Sequence, residues 1–322
     1  MIDNSVKYKP IHRLFIANRG EIALRIHRTA KAMGINTIGI ITKSELQTPA
    51  DEEVFIEGDT LAQTYLNIDA IINAALLKKA DAIHPGYGFL SENPAFAEAA
   101  QKAGLIFVGP TAHTIREIGN KPKARLLAQS LDIPVTKGFF GTVEEIYKQK
   151  QELPYPFLIK AAVGGGGKAM TMVNSPSQLQ KKLKQAEREA ERYFGDNTLL
   201  MEQYISQPRH IEVQILADQH GNCIHLYERE CSIQRRYQKI IEESPSPYVT
   251  DSFREKLTSD AQKLCKEIGY QNAGTVEFLV DSDGNHYFLE VNARLQVEHP
   301  VTEMVTSIDL VKQQLLIPMG LP

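Results

Sequence analysis

Two glutamates near the carboxyl end of the sequence have types and spacing suited to metal chemistry. Glu277 lies in residues 275–280 and Glu290 in residues 288–292, and both stretches alternate apolar with polar residues, as strands do. Asp283-Gly284 lies between the stretches and is typical of a two-residue hairpin turn. The sequence therefore predicts a β-hairpin that carries both carboxylates.

A turn centred on this dipeptide places Glu277 opposite Glu290 and Thr275 opposite Asn292, with all four side chains on one face of the sheet. Carboxylates so placed repel by roughly 4 kcal/mol at about 4 Å and an effective dielectric constant of about 20. Either they splay into solvent, or one is protonated, or they serve with Asn292 as oxygen ligands of Mg²⁺ held with nucleotide phosphates.

The residues that follow the second strand favour the metal interpretation. Arg294, Gln296, Glu298 and His299 come directly after it, and core packing does not explain this density of polar groups. We therefore expect a site for a metal and a phosphate at this end of the hairpin.

The whole-chain composition is that of a globular protein. Its residues are 43% apolar and 23% charged, and its length of 322 residues predicts two domains, or one domain with a lobe. The net charge of −3 indicates neither a nucleic acid nor a membrane as a partner. No apolar run approaches the roughly 20 residues that span a bilayer. The start of the chain lacks a signal-like apolar region, and the three cysteines lack metal-binding spacing, so we expect a cytoplasmic protein.

The first part of the chain predicts an α/β domain. Strands at residues 14–17 and 35–42 enclose a helix at residues 22–33, and the alternation continues to residue 108. We expect a Rossmann-like parallel-sheet domain over residues 1–119 and an α+β domain over residues 120–322. The first turn carries one glycine, so it lacks the dinucleotide fingerprint.

Three further segments each allow two interpretations. His84–Asn93 follows a strand and is either a ligand-binding loop or a plain glycine-rich turn. Gly164–Gly167, with Lys160 and Lys168 on either side, is either a flap that closes on phosphates or a flexible hairpin tip. Ser232–Lys239 is either a basic edge strand or a wall that binds an anion.

Longer motifs resemble one known family, the biotin carboxylases. The resemblance rests on Ile16–Ala23, His84–Asn93, Met201-Glu202, Glu228–Lys239 and Glu290–Met304, and it extends over essentially the whole chain. These enzymes perform the ATP-dependent half-reaction of acyl-CoA and pyruvate carboxylases. The resemblance implies an N-terminal domain followed by an ATP-grasp domain.

The resemblance also implies site residues, by position. The metal ligands are Glu277, Glu290 and Asn292. The bicarbonate site is Lys239, Arg294, Gln296, Val297 and Glu298. The ATP-binding positions are Lys121, Lys160, Gly166, Gly167, Glu202, Gln203, Tyr204, Ile205, His210, Gln234, Tyr237, Glu277 and Glu290.

The implied reaction is the carboxylation of biotin. Glu298 takes a proton from bicarbonate while Arg294 and Lys239 hold the anion, which attacks MgATP (or MnATP) to give carboxyphosphate. Carboxyphosphate then supplies CO₂ to N1′ of biotin. The implied partners are a biotin carboxyl carrier protein or domain and a carboxyltransferase subunit, and a homodimer is possible.

The sequence departs from the family pattern at several positions. The family's C-terminal domain, with an arginine that holds biotin, is expected to be absent, and the segment Lys43–Asp51 is shorter than usual. Val163, Ala169 and Ala293 replace residues common in the family, and Tyr237 replaces a histidine. These changes affect biotin binding more than ATP binding.

Two alternative functions remain open at this stage. One is a ligase like carbamoyl-phosphate synthetase, which adds ammonia to carboxyphosphate. The other is a nucleotide-binding fragment with impaired catalysis. The unbroken segments His84–Asn93 and Arg294–His299 argue against the first alternative.

Overall fold

The computed structural model describes residues 8–149, 155–162 and 170–321. Its amino-terminal part is a five-stranded parallel sheet in the order β3-β2-β1-β4-β5, which confirms the predicted α/β architecture. The strands are β1 (Arg13–Ile16), β2 (Asn36–Ile41), β3 (Glu52–Phe55), β4 (Ala82–His84) and β5 (Ile106–Phe107). The helices between them are α1 (Gly20–Ala32), α2 (Ile68–Leu77) and α3 (Pro94–Lys102).

A second, four-stranded sheet follows two consecutive helices and has the order β6-β9-β7-β8. The helices are α4 (Ala112–Gly119) and α5 (Lys121–Ser130), and Asn120 between them caps α5 through its side chain. The strands are β6 (Gly138–Gly141), β7 (Phe157–Ala161), β8 (Thr171–Val173) and β9 (Leu199–Gln203). The helices that accompany them are α6 (Val143–Lys148) and α7 (Pro176–Phe194).

The third sheet is antiparallel, with the order β12-β11-β10-β13-β14. Its strands are β10 (Arg209–Ala217), β11 (Cys223–Arg235), β12 (Gln238–Glu243), β13 (Asn272–Val280) and β14 (His286–Asn292). The remaining helices are α8 (Asp251–Glu267), α9 (His299–Thr306), α10 (Leu310–Leu316) and a 3₁₀ turn (Ile317–Met319).

One face of the third sheet packs against α8. Ile211, Val213 and Ile215 of β10 share an apolar core with Leu257 and Ala261 of the helix. Because successive strand residues point to opposite faces, the other residues of β10 face away from this core.

Helix α7 packs against the second sheet through one apolar face. Its apolar residues Leu179, Leu183, Ala186 and Ala190 pack in one core with strands of the second sheet.

Among the helices in the described ranges, none is long and apolar enough to cross a membrane.

The segment Ser232–Lys239 is not the single strand that the sequence indicated. Strand β11 ends at Arg235, the chain reverses at Arg236 and Tyr237, and β12 begins at Gln238. Both turn residues have positive φ, 52° and 65°. Tight hairpin turns of this conformation usually contain Asn or Gly, so the sequence lacks the ordinary signal for a turn here.

The loop of the β13–β14 hairpin is longer than the predicted two residues. Val280 pairs with His286, so the loop comprises residues 281–285. The Asp281 carboxylate accepts a hydrogen bond from the backbone N–H of Asn285 at 2.9 Å. This side-chain contact adds to a backbone closure of the loop, in which the Asp281 N–H donates to the Asn285 carbonyl at 2.9 Å.

A β-bulge corrects the register between this loop and the acidic residues. The pairing shifts between Glu277 and Phe278, so that Glu277 faces Glu290 and Thr275 faces Asn292. The predicted facing pairs are therefore confirmed, although the predicted turn is wrong.

The conformation of Gly284 gives a stability prediction. Its φ is +82°, and a Cβ added there meets nothing within 4 Å, so substitution costs only backbone strain. We expect Gly284→Ala to lower the free energy of unfolding by about 1–2 kcal/mol. Gly119→Ala is the matched control, because that site is also open but has no positive φ. Urea unfolding of both variants checks this, and an equal effect at the two sites would contradict it.

Burial of His84 gives a pH prediction. Burial lowers the pKa of His84 to about 3, and its Nδ1 accepts a hydrogen bond from the Gly86 N–H at 3.0 Å. An unfolded histidine takes up a proton near pH ~6.5, so this contribution to stability is complete above that pH and declines as pH falls toward the folded pKa. The expected loss is about 2 kcal/mol at pH ~5.

Unfolding measured by urea between neutral pH and pH ~5 tests this expectation. His84→Gln should remove the pH-dependent loss, whereas the control His113→Gln, at an exposed position, should retain it. An unchanged pH dependence in His84→Gln would show that this histidine is not its source.

Candidate active site

Four charged residues lie side by side across four neighbouring strands of the third sheet. The register pairs Arg229 with Glu212, Glu212 with Glu277, and Glu277 with Glu290. Directly paired residues share a face of the sheet. The row, defined as these four residues, therefore brings three carboxylates together with one guanidinium at its end.

The sequence of β10 explains why the row forms away from the core. His210, Glu212 and Gln214 alternate with the apolar residues that pack on α8. The Glu212 side chain is fully buried, and Gln214 is buried beside it. A carboxylate in such a place needs cationic partners, because burial penalises an unpaired charge.

Lys239 supplies positive charge at the middle of the row. Its Nζ lies 2.5 Å from Glu212 Oε2, 2.9 Å from Glu277 Oε1 and 2.6 Å from Glu298 Oε1. Burial would lower the pKa of Lys239, but the carboxylates, Glu277 foremost, raise it above its ordinary value. The ammonium therefore stays charged and links two row members to Glu298.

Lys121 supplies positive charge at the outer end of the row. Its Nζ lies 2.6 Å from Glu290 Oε2. Burial would raise the pKa of Glu290, but Lys121, and then Lys160 and His210, lower it to about 2.

The hypothesis that a carboxyl is protonated is therefore wrong for Glu290. Splaying into solvent is wrong for Glu277, which is 3% exposed.

His210 pairs with the same carboxylate as Lys239. Its Nε2 lies 2.9 Å from Glu277 Oε2, and its Nδ1 lies 3.2 Å from Gln234 Nε2. Burial would lower the pKa of His210, but Glu277 raises it above its ordinary value. His210 and Lys239 thus pair with different carboxylate oxygens of Glu277.

The oxygen donors of this face fit a hard divalent cation. Glu277 and Glu290 offer facing carboxylates, and the Asn292 amide lies against Glu277, to which its Nδ2 donates at 2.7 Å. Mg²⁺ and Mn²⁺ prefer such oxygen ligands. Ligand atoms of His210, Glu212 and Glu277 also lie within 4.8 Å of one another.

Arg294 adds a second cation beside the row. Its guanidinium donates to Gln296 Oε1 at 2.8 Å, to Glu92 Oε2 at 3.1 Å and to Asn292 Oδ1 at 3.3 Å. Gln296 in turn donates to Thr275 Oγ1 at 2.8 Å. Hydrogen bonds to three neighbouring side chains therefore fix the position of the Arg294 guanidinium.

Glu298 immediately precedes α9 and is buried, whereas its neighbour Val297 is 58% exposed. The carboxylate of Glu298 faces Lys239, as described above. The side chain of Val297 therefore lies outside the buried part of this group of residues.

The second sheet contributes a separate ion pair. Lys160 on β7 contacts Glu202 on β9, and Glu202 also accepts a hydrogen bond from Thr136 at 3.3 Å. Arg125 lies 3.8 Å from the same carboxylate. Lys160 and Glu202 therefore lie on strands of the second sheet, whereas the row lies on the third. Lys121, which pairs with Glu290 of the row, lies on helix α5.

The predicted ATP-binding positions 203–205 lie at the end of β9 and directly after it. The Gln203 N–H donates to the Lys137 carbonyl at 2.8 Å, Tyr204 lies next to it, and the Ile205 side chain is buried. Tyr237 is 61% exposed in its hairpin turn, so the structure does not bring its side chain into the row. Gly166 and Gly167, like the rest of the predicted flap at 163–169, lie outside the described residues.

The segment His84–Asn93 reaches the row through one residue. Glu92 accepts hydrogen bonds from Arg294 and from the Ala293 N–H, the latter at 3.3 Å. Asn18 holds the start of the segment, donating to the Pro85 carbonyl at 2.7 Å. The segment is therefore more than a turn, since it supports a residue of the site.

Sequence reasoning missed Glu212, Arg229 and Glu92. A signal for Glu212 is present, because it lies between two polar residues at alternate positions of a predicted strand. Arg229 reaches Glu212 through the register of the β10–β11 hairpin, which shifts between Val213 and Ile215, and Glu92 comes from 202 residues away, for which a single sequence gives no pattern.

Comparison with known protein families divides the chain into two matches. Residues 10–115 match the family described as "Biotin carboxylase, N-terminal domain". Residues 120–322 match the family described as "Carbamoyl-phosphate synthase L chain, ATP binding domain".

Curated proteins and a solved structure are similar over nearly the whole chain. Biotin carboxylase 2 of Bacillus subtilis is 46% identical over 96% of this chain and 71% of its own length. Mitochondrial pyruvate carboxylase of Mus musculus is 46% identical over 98% of this chain, which spans only 27% of that protein.

The solved structure is the biotin carboxylase domain dimer of Hydrogenobacter thermophilus 2-oxoglutarate carboxylase, in complex with MgADP, ADP and bicarbonate. It matches with a TM-score of 0.94 and 43% identity, over 97% of this chain and 70% of its own. Together with the two family matches, these similarities over almost all residues are decisive. The chain belongs to the biotin carboxylase family.

Proposed function

We propose that this site uses ATP and bicarbonate to carboxylate biotin, as the first half-reaction of a biotin-dependent carboxylase. The observation that carries the proposal is the position of Lys239. Its ammonium contacts Glu277 of the facing carboxylate pair and also Glu298. A metal-nucleotide site and a site for a small anion therefore share one cation, as a reaction between the two ligands requires.

The facing carboxylates support the assignment of a metal site. Glu277, Glu290 and Asn292 would hold Mg²⁺ or Mn²⁺, which when bound neutralises charge on the phosphates during transfer. Lys121 and Lys160 supply cations for the phosphates, and the other proposed ATP contacts are Gly166, Gly167, Glu202, Gln203, Tyr204, Ile205, His210, Gln234 and Tyr237.

The groups around Glu298 support the assignment of a bicarbonate site. Arg294, Lys239 and Gln296 provide donors, and Val297 provides backbone. Glu298 is buried against Lys239 and serves as the base that removes the bicarbonate proton. Its contact with the Lys239 ammonium orients the carboxylate for that step.

The bond changes follow from these roles. The deprotonated bicarbonate oxygen forms a bond to the γ-phosphorus of ATP, and the bond between that phosphorus and the ADP oxygen breaks. Carboxyphosphate and ADP result. The bond between the carboxyl carbon and the phosphate oxygen then breaks, the released phosphate takes the proton from N1′ of biotin, and N1′ bonds to the carboxyl carbon to give carboxybiotin. Arg294 and Lys239 hold the anion throughout, so the reactants remain aligned.

The similarity of the relatives supports further parts of the proposal. Biotin would be presented on a carboxyl carrier protein or domain, and the carboxybiotin formed would pass to a carboxyltransferase subunit. The family matches at 10–115 and 120–322 support a division into residues 1–119 and 120–322. A homodimer accords with the dimeric relative. Three free, buried cysteines accord with a cytoplasmic setting.

A second candidate is a ligase that adds ammonia to carboxyphosphate. The observation in its favour is the description of the family that matches residues 120–322. The match of residues 10–115 to a biotin carboxylase domain, and the Glu92 contact from that part to Arg294, favour biotin as the acceptor.

The choice of acceptor is the test of the proposed function. The 322-residue chain should release ADP from MgATP only when bicarbonate is present, and radiolabelled bicarbonate should enter carboxybiotin when free biotin is added. Carbamoyl phosphate formed on addition of ammonia would favour the second candidate. ATP cleavage that ignores bicarbonate, or no cleavage, would contradict both.

The metal assignment has its own test. We expect Glu290→Gln to lower bicarbonate-dependent ADP release by more than about 100-fold, because a neutral amide is a poor Mg²⁺ ligand and second-shell losses alone reach that size. Circular dichroism should show an unchanged fold. Glu255→Gln, on the exposed side of α8, is the matched control and should keep its activity. Full activity in Glu290→Gln would remove Glu290 from the metal site.

A further inference from the structure

Arg229 lies at the inner end of the row and has no exposed surface. Its Nε donates to Glu212 Oε1 at 2.6 Å, and its Nη1 donates to Gln214 Oε1 at 2.8 Å and to Thr302 Oγ1 at 2.7 Å. A guanidinium with these partners cannot touch a substrate. Its effect on the reaction must pass through the groups that it holds.

The first of these groups leads to Lys239. Glu212 uses one carboxylate oxygen for Arg229 and the other for Lys239. Burial would raise the pKa of Glu212, but Arg229 and then Lys239 lower it well below its ordinary value. Arg229 therefore keeps Glu212 ionised and fixes the oxygen to which Lys239 is anchored.

The second group leads to Glu298. Thr302 is fully buried on α9, and Glu298 immediately precedes the first residue of that helix, one turn before Thr302. The bond from Arg229 to Thr302 ties the start of α9 to the sheet. A displacement of this helix would move Glu298 relative to Lys239.

We propose that Arg229 is a positioning residue that sets the location of the base Glu298 relative to the bicarbonate-binding cation Lys239. Its planar guanidinium joins Glu212, which anchors Lys239, to helix α9, which Glu298 immediately precedes. Lysine cannot replace it, because an ammonium lacks the fixed fork of donors that reaches two elements at once. This inference rests on the proposed function for its kinetic consequences, and on geometry alone for its structural ones.

The kinetic test uses Arg229→Lys, which retains the charge beside Glu212. We expect kcat/KM for bicarbonate to fall roughly tenfold to a hundredfold, since misplacement by about 1 Å has effects of that size. KM for ATP should stay close to that of the unmutated chain. A merely structural role would lower stability without this split between the two substrates.

Two further variants separate positioning from general destabilisation. Thr302→Val leaves the Arg229–Glu212 pair intact and should show a smaller loss of the same kind. Arg254→Lys is the matched control, because Arg254 also holds a buried carboxylate, Glu228, at 2.8 Å but is not connected to Lys239. Equal losses in Arg229→Lys and Arg254→Lys, or none in Arg229→Lys, would overturn the proposal.

Crystal structures of the unmutated chain and of Arg229→Lys supply a readout that does not depend on activity. We expect the variant to lose the contact between Glu212 and Lys239 or to move Glu298 away from Lys239. If both contacts are unchanged, the positioning role is refuted, even where the proposed function holds. Conversely, if the unmutated chain lacks bicarbonate-dependent ATP cleavage, the proposed function fails, and these structures alone decide the role of Arg229.

Discussion

Charge compensation in a largely buried row of carboxylates is the constraint on which the site depends. Glu212, Glu277 and Glu290 repel one another, and each is balanced by a cation from a different element. A buried charge without a partner is strongly destabilising. The packing of α5 against the sheet, and the pairing of β11 and β12 within the sheet, are therefore linked to the arrangement of the site.

The two faces of the third sheet have different roles. One face is apolar and packs on α8, where shape and volume determine stability. At the row, the other face is polar, with cations from β11, β12 and α5, and Glu92 of the amino-terminal part contacts Arg294 beside it. The fold holds the strands in place through the first face and leaves the second free for charged groups.

The sequence predicted what depends on local pattern. Alternation revealed the strands that carry Glu277 and Glu290, and βαβ periodicity revealed the parallel sheet. Short edge strands such as β3 (52–55) were missed because only Val54 in it is buried, so the pattern is weak. The position of Lys239 depends on a hairpin turn without Gly or Asn, and that of Arg229 on a register shift within the β10–β11 hairpin, which local pattern does not encode.

The bulge beside Glu277 has a consequence for how this hairpin tolerates change. It lies between the acidic pair and the loop, so the strand section next to the loop has a register of its own. An insertion at residues 281–285 can be absorbed within that outer section, where side chains are remote from the row. A change in loop length therefore need not change which residue faces Glu277.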